Sequence, residues 1–144
     1  MQFWDQHETI TDYYELLAGR VCARYALTQM EYDILMFLHG NPQHNTAADI
    51  VKVRKSTKSH VSTSLKSLEN KGLIERIQSE DNKKHITIVL LEKAELIVQE
   101  GIYAQKQFAH NVLSGLTEEE KHMCIKVFHK ICNNAEEHLR EKEQ

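Results

Sequence analysis

A single proline and five glycines in 144 residues are too few chain-breakers for an all-β sandwich with many tight turns, so a mainly helical chain is expected. Three cysteines, an odd number without short paired spacing, argue against a secreted disulfide scaffold and fit a reducing interior. No apolar run approaches membrane-spanning length, and the opening MQFWDQHETI lacks the basic start and apolar stretch of a signal peptide. The expected location is therefore the cytoplasm, with no membrane partner. A phosphate loop, a Gly-x-Ser-x-Gly elbow and a His-Glu-x-x-His pair are all missing, and the histidines and carboxylates form no recognisable acid–base pair. No enzymatic activity is expected, and no catalytic residue is nominated.

What is present is a local inversion of charge. The chain as a whole carries a formal −3, yet between Ile50 and Leu68 it holds Lys52, Arg54, Lys55, Lys58 and Lys66 without one Asp or Glu. Within this stretch, helical spacing places Val61, Leu65 and Leu68 on one apolar stripe and Ser59, Ser62, Thr63 and Lys66 on the other side. Small hydroxyls and a lysine on the open face of a helix suit a nucleic-acid groove. The alternative is a solvated lysine-rich surface, the commonest meaning of a charge cluster. At 16.8 kDa the chain is long enough for one domain with its own core.

Along the chain, Ile10, Tyr13, Leu17 and Val21 predict a first helix from about Asp5 to Tyr25. Phe3 and Trp4 ahead of it need cover, from a partner subunit or from the same chain. Thr28 with Glu31 reads as a capping box opening a second helix through Tyr32, Leu35 and Leu38, which stops at Gly40-Asn41-Pro42. Thr46 caps a short third helix whose expected buried side is Ile50 and Val53. Ser56 is expected to cap the fourth helix, which ends at Gly72. Two short helices in tight succession form a helix-turn-helix. Next, LIERIQ and HITIVLL flank a polar tip, Ser79 to Lys84, and predict a hairpin, the wing. A long helix follows from Glu92 to about Val112. Thr117 and Glu120 form a further capping box for a last helix with Met123, Val127, Ile131 and Ala135 on its apolar face. The terminal helices carry more apolar surface than one small lobe can cover, which implies a homodimer built from the two chain ends.

These segments resemble the MarR family of bacterial winged-helix regulators over nearly the whole chain, from about Ile10 to Leu139. The matching motifs are LTQMEYDILMFL (Leu27 to Leu38), TAADIVKV (Thr46 to Val53), VSTSLKSLENKGLIER (Val61 to Arg76) and IVLLEKA (Ile88 to Ala94). The resemblance implies a mainly α fold with a small β-wing, one domain over 1–144, with 27–91 as the DNA-binding lobe and 1–26 and 92–144 as dimerisation helices. It further implies a homodimer that reads a pseudo-palindrome in double-stranded DNA, with affinity changed by a small molecule, an oxidant or a metal. The family's DNA-facing positions fall on Ser56, Thr57, Lys58, Ser59, Ser62, Thr63 and Lys66; Lys55, Lys83 and Lys84 add backbone contacts. At the wing, members commonly show Asp-x-x-Asp-Arg-Arg where this chain has Ser79, Asn82, Lys83 and Lys84. Lysine keeps the charge and lacks the planar fork of arginine, so wing contacts are expected to be looser, and Asp81 is a candidate brace for Arg76.

Cys22, Cys124 and Cys132 could sense oxidants, but no basic cluster accompanies them, and Cys124 and Cys132 stand ~12 Å apart along one helix. Among nine histidines, His129 with Cys132 and His122 with Glu118 are each only half of a zinc site, so no metal or cofactor is expected. Tyr13, Tyr14, Tyr25, Tyr32 and Phe37 are either core or the lining of an effector pocket. The rival reading is a winged helix that binds a protein rather than DNA. An acidic residue in the groove-facing set would favour it, and there is none.

Overall fold

The computed structural model describes residues 2–142, without the side chains of Phe3 and Trp4, so the expectation that these two need cover lies outside the described residues. A short 3-10 turn, Phe3–Gln6, leads into α1 (His7–Tyr25); α2 (Gln29–Gly40), α3 (Ala47–Arg54) and α4 (Lys58–Asn70) follow. An antiparallel hairpin of β1 (Ile74–Gln78) and β2 (Ile86–Leu90) comes next, then a 3-10 turn at Glu92–Ala94, α5 (Glu95–Val112) and α6 (Glu118–Lys142). This is the mainly helical winged helix-turn-helix expected. The chain forms two compact units, 1–108 and 109–144.

The first unit is built on one core. Leu17 and Val21 of α1, Tyr32, Ile34 and Leu35 of α2, Ile50 of α3 and Val61, Leu65 and Leu68 of α4 share it with Ile74 and Ile88 of the hairpin and Ile97 and Ala104 of α5. The predicted caps are made: the Thr28 hydroxyl accepts the Glu31 N–H at 3.1 Å while the Glu31 carboxylate accepts the Thr28 N–H, and the Thr46 hydroxyl accepts the Asp49 N–H. Gly72 ends α4 with φ +73; its N–H donates to the Glu69 carbonyl, and the Leu73 N–H donates to the Leu68 carbonyl, both at 3.0 Å. That 6→1 and 5→2 pair is the Schellman ending, which needs a left-handed residue after the helix.

Gly101 lies inside α5, where a glycine costs about 1 kcal/mol of helix propensity. It is kept for proximity. A Cβ there would stand 2.5 Å from the Met36 sulfur and 3.1 Å from the hydroxyl of fully buried Tyr32, so α5 can approach α2 closely only without a side chain.

Two local expectations are corrected. Val53 is 54% exposed, so Ile50 alone anchors α3, with Val51 half-buried. The helix stops at Arg54, and among the described residues no element covers Val53. The N-cap of α4 is Thr57 and not Ser56: the Thr57 hydroxyl accepts the His60 N–H at 3.1 Å, while the Ser56 hydroxyl donates to the Arg54 carbonyl. The cause is Lys55, which takes a left-handed conformation (φ 52) to end α3 and so moves the start of α4 one residue along.

The second unit, 109–144, holds the last turn of α5, the turn that follows it and α6. The start of α6 is capped as expected, the Thr117 hydroxyl accepting the Glu120 N–H and the Glu120 carboxylate accepting the Thr117 N–H. No described residue of α6 is buried; Met123, Val127 and Ile131 all stand open.

Candidate nucleic-acid interface

On α4 the apolar stripe faces inward and exposed Ser59, Ser62, Thr63 and Lys66 form the opposite side. The connection from α3 places Lys55, half-buried Ser56, Thr57 and Lys58 at the mouth of the helix. By helix geometry the first-turn amides of Lys58 and Ser59 have no carbonyl behind them, leaving donors for an anion. These eight predicted residues are therefore brought together on one open surface. Lys83 and Lys84 stand apart at the end of the hairpin, both exposed.

The hairpin tip has its own order. The Ser79 N–H donates to the His85 carbonyl at 2.9 Å, the Lys84 N–H donates to the Asn82 side-chain oxygen at 3.0 Å, and the Gln78 amide donates to the Lys83 carbonyl. Asn82 thus turns the chain and aims the two lysines outward. The ladder pairs Ile74 with Leu90, Arg76 with Ile88 and Gln78 with Ile86, so these residues lie on the face turned to α4.

From that face Arg76 reaches back to α4. Its Nε and Nη2 donate to the two carboxylate oxygens of Glu69 at 3.2 and 3.0 Å, a bidentate pair that ties the root of the wing to the helix. The pairing with Arg76 holds the Glu69 carboxyl below its ordinary range. Of the candidate braces for Arg76, Glu69 and not Asp81 fills the role. No periodicity announces it, because the two partners lie on either side of the Gly72 turn.

Cations in this lobe fall into two sets. Arg54 is bound to Asp33 at 2.7 Å, Lys71 to Glu31 at 2.8 Å and Arg76 to Glu69 at 3.0 Å. Lys52, Lys55, Lys58, Lys66, Lys83 and Lys84 belong to no ion pair among the described residues. The neutralised cations hold the scaffold; the six free lysines leave a positive field on an acidic protein. Two residues of this surface were not among the nominated contacts: Asn70, exposed one turn beyond Lys66 on the same side of α4, and Lys52, counted in the basic stretch and exposed beside Lys58. The i, i+4 spacing from Lys66 to Asn70 was the available signal.

Two clefts lie behind this surface. One of about 420 Å³ separates α3, α4 and the hairpin and is lined by Val51, Val61, Leu65, Ile86 and Ile88, with Lys52, Lys58 and Arg76 at its edges. The other, about 350 Å³, lies where the end of α1, the end of α4 and the start of α5 meet, and is lined by Tyr25, Lys71, Leu73, Lys93, Leu96 and Ile97. Of the remaining aromatics, Tyr32 and Phe37 are core, while Tyr13 and Tyr14 pack on Phe108 with ring centroids 5.8 and 5.3 Å away. Cys22 is buried, and burial, followed by the charge of Asp33, pushes its thiol above the ordinary value, the reverse of what a reactive thiolate needs. Cys124 is exposed and Cys132 half-buried. Among the described residues no three His, Cys, Asp or Glu side chains gather as metal ligands, and no helix is long and apolar enough to cross a membrane.

Comparison with known proteins agrees with this geometry. The MarR family model matches residues 27–85, the segment from the end of α1 through the wing tip. The uncharacterized HTH-type transcriptional regulator YybA of Bacillus subtilis is 29% identical over 116 residues, covering 76% of this chain and 73% of the relative. Among solved structures, S. aureus MepR in complex with DNA superposes with a TM-score of 0.78 at 21% identity, over 93% of this chain and 96% of that one. A MarR family transcriptional regulator from Listeria monocytogenes bound to a 26-mer DNA superposes with a TM-score of 0.81 at 22% identity, over 93% and 89%. The helix-turn-helix with its wing, the family match across that lobe and the regulator relative make the chain similar to the MarR family of winged-helix transcriptional regulators.

Proposed function

We propose that this chain is a MarR-family transcriptional regulator, a homodimeric repressor that reads a pseudo-palindromic site in double-stranded DNA, in the cytoplasm where the chromosome lies. The observation that carries the reading is the segregation of cations: four unpaired lysines lie on or beside the polar face of α4 and two more at the wing tip, while the other cations of the lobe are spent on carboxylates. In this reading α4 enters the major groove; Ser59, Ser62, Thr63 and Lys66 meet base edges and nearby phosphates. Ser56, Thr57, Lys55 and Lys58 hold the backbone at the helix start, and Lys83 and Lys84 reach it from the wing. The Thr57 oxygen is committed to its cap, so its hydroxyl proton is what it offers to phosphate.

Residues 27–91 act as the DNA-binding lobe, and 1–26 with 92–144 act as the dimerising ends. The open apolar face of α6 supports that division, as do Ile10 and Leu16 on α1, each 54% exposed. A second copy covering these surfaces sets two α4 helices about 34 Å apart, one turn of DNA. Regulation follows from changing that separation. The cleft beside Tyr25 and Lys71 is of a size suited to a small molecule and touches both the lobe and the dimerising helices. An effector there shifts the equilibrium by its difference in affinity for the two separations.

The test is titration of a fluorescent duplex from the protein's own promoter region, against a scrambled duplex, over a salt series. With about eight phosphate contacts, log affinity falls against log salt with a slope near −7, and the native duplex wins by about a thousandfold. Absence of binding to either duplex transfers the reading to a protein-interaction module.

A further inference from the structure

The two ends of α4 are held differently. Its N-terminal turn rests on its own Thr57 cap, whereas its C-terminal half is gripped by α2 through a single carboxylate. Glu31 is 3% exposed, one of two buried polar residues among those described, the other being Ser64. Its Oε1 accepts the Thr28 N–H at 3.1 Å; its Oε2 accepts the Ser67 hydroxyl at 3.1 Å and the Lys71 ammonium at 2.8 Å. Ser67 and Lys71 are one turn apart on one flank of α4, so one carboxylate spans a full turn of the helix. Lys71 also donates to the Ala26 carbonyl at 2.9 Å, and its own carbonyl accepts the Lys93 ammonium at 2.8 Å.

As a source of stability this arrangement is inefficient, because an ion pair taken out of water is often no better than apolar residues of the same volume. Directional bonds do what the stripe of Val61, Leu65 and Leu68 cannot, since apolar contact is indifferent to small rotations. A 20° turn of a helix about its axis moves side-chain tips at a radius of about 6 Å by roughly 2 Å, enough to break a base-edge hydrogen bond.

We propose that Glu31 and Lys71 are positioning residues for DNA reading, fixing the rotation of α4 that presents Ser59, Ser62, Thr63 and Lys66 to the groove. The proposal rests on the DNA-reading function argued above. It is tested with Glu31→Gln, which keeps the acceptor for Thr28 and loses the charge, with Lys71→Met, and with the double variant. Each is measured well below its melting temperature on a duplex that the wild type has enriched from a randomised pool, and on a scrambled duplex, over a salt series. Each single variant is expected to lose about tenfold or more on the enriched duplex, stay within about twofold on the scrambled one, and keep the wild-type salt slope. The double variant is expected to be no worse than the singles, because both act through one contact. Ser67→Ala removes one neutral donor, gives a smaller loss in the same direction, and serves if either charge variant fails to fold.

Lower melting temperatures with an unchanged ratio between the two duplexes would mean that the clasp is only structural, and the proposal falls. Equal loss on both duplexes in Lys71→Met, with the slope reduced by about one, makes Lys71 a phosphate contact and also overturns it. Failure of the wild type to enrich any duplex removes the DNA reading itself. That outcome is distinct from binding with an unaltered ratio.

Discussion

Helices α4 and α6 are both amphipathic, and their apolar faces meet opposite fates. In α4, Val61, Leu65 and Leu68 disappear into the core of the first unit, leaving a polar face that is free to meet a groove. In α6 no described residue is buried, and Met123 (56%), Phe128 (62%) and Ile131 (40%) stand open. A periodic stripe therefore says that a helix needs cover without saying from where. Within one chain the stripe of α4 completes a fold, whereas the stripe of α6 is left open, the face that the proposed second copy would cover.

The largest way to break this comparison is to put a charge into each stripe. Leu65→Asp buries an unpaired carboxylate where the side chain is 1% exposed, and is expected to cost more than about 4 kcal/mol and abolish the cooperative thermal transition of the first unit. Ile131→Glu should leave that transition in place and raise the dimer dissociation constant about a hundredfold, read by sedimentation over a concentration series. A variant that still sediments as a dimer would mean that a second copy does not cover this face of α6.

The polar face of α4 is probed by Lys66→Glu. Reversing one of the six unpaired charges is expected to weaken operator binding by about thirty- to a hundredfold and flatten the salt slope, with the dimer intact. Normal affinity would place the groove-facing side of α4 elsewhere.

Much of this was legible in the sequence because its signals are local. Thr28 with Glu31, Thr46 with Asp49 and Thr117 with Glu120 announce helix starts three residues ahead, and Ile86, Ile88 and Leu90 announce a strand. Where adjacent residues compete, the local signal fails. Ser56 and Thr57 are both good caps, and the choice fell to Thr57 through the left-handed turn at Lys55. Long-range partners leave no trace either. The capping role of Glu31 was readable, but its bonds to Ser67 and Lys71, 36 and 40 residues away, exist only once α2 and α4 have packed.

The clasp on α4 also gives stability a pH dependence. Burial alone would raise the Glu31 carboxyl, but the Lys71 ammonium, the Thr28 N–H and the Ser67 hydroxyl outweigh it and hold the group below its usual 4.5. A depressed folded-state value means the stabilisation is complete above about pH 5 and is lost as pH falls through the folded value. Urea melts of wild type and Glu31→Gln should therefore converge in acid and separate near neutrality. Parallel curves would show that the ionised carboxylate does not support the fold.

The smallest effect sharpens the comparison most, because it sets stability against function at one residue. Lys55 holds a left-handed conformation at the mouth of α4, which costs a residue with a Cβ roughly 1 kcal/mol relative to glycine. Lys55→Gly is expected to raise unfolding stability by about 0.5–1 kcal/mol in chemical melts. It also removes one of the unpaired lysines, and affinity for both operator and scrambled duplex should fall by a few-fold, with the salt slope reduced by about one. A more stable protein that binds less well would show that the chain accepts strain at this turn to keep a charge facing phosphate. Unchanged stability would instead mean that neighbouring contacts, such as the Ser56 N–H donating to the Val51 carbonyl at 3.3 Å, already absorb the cost of the turn.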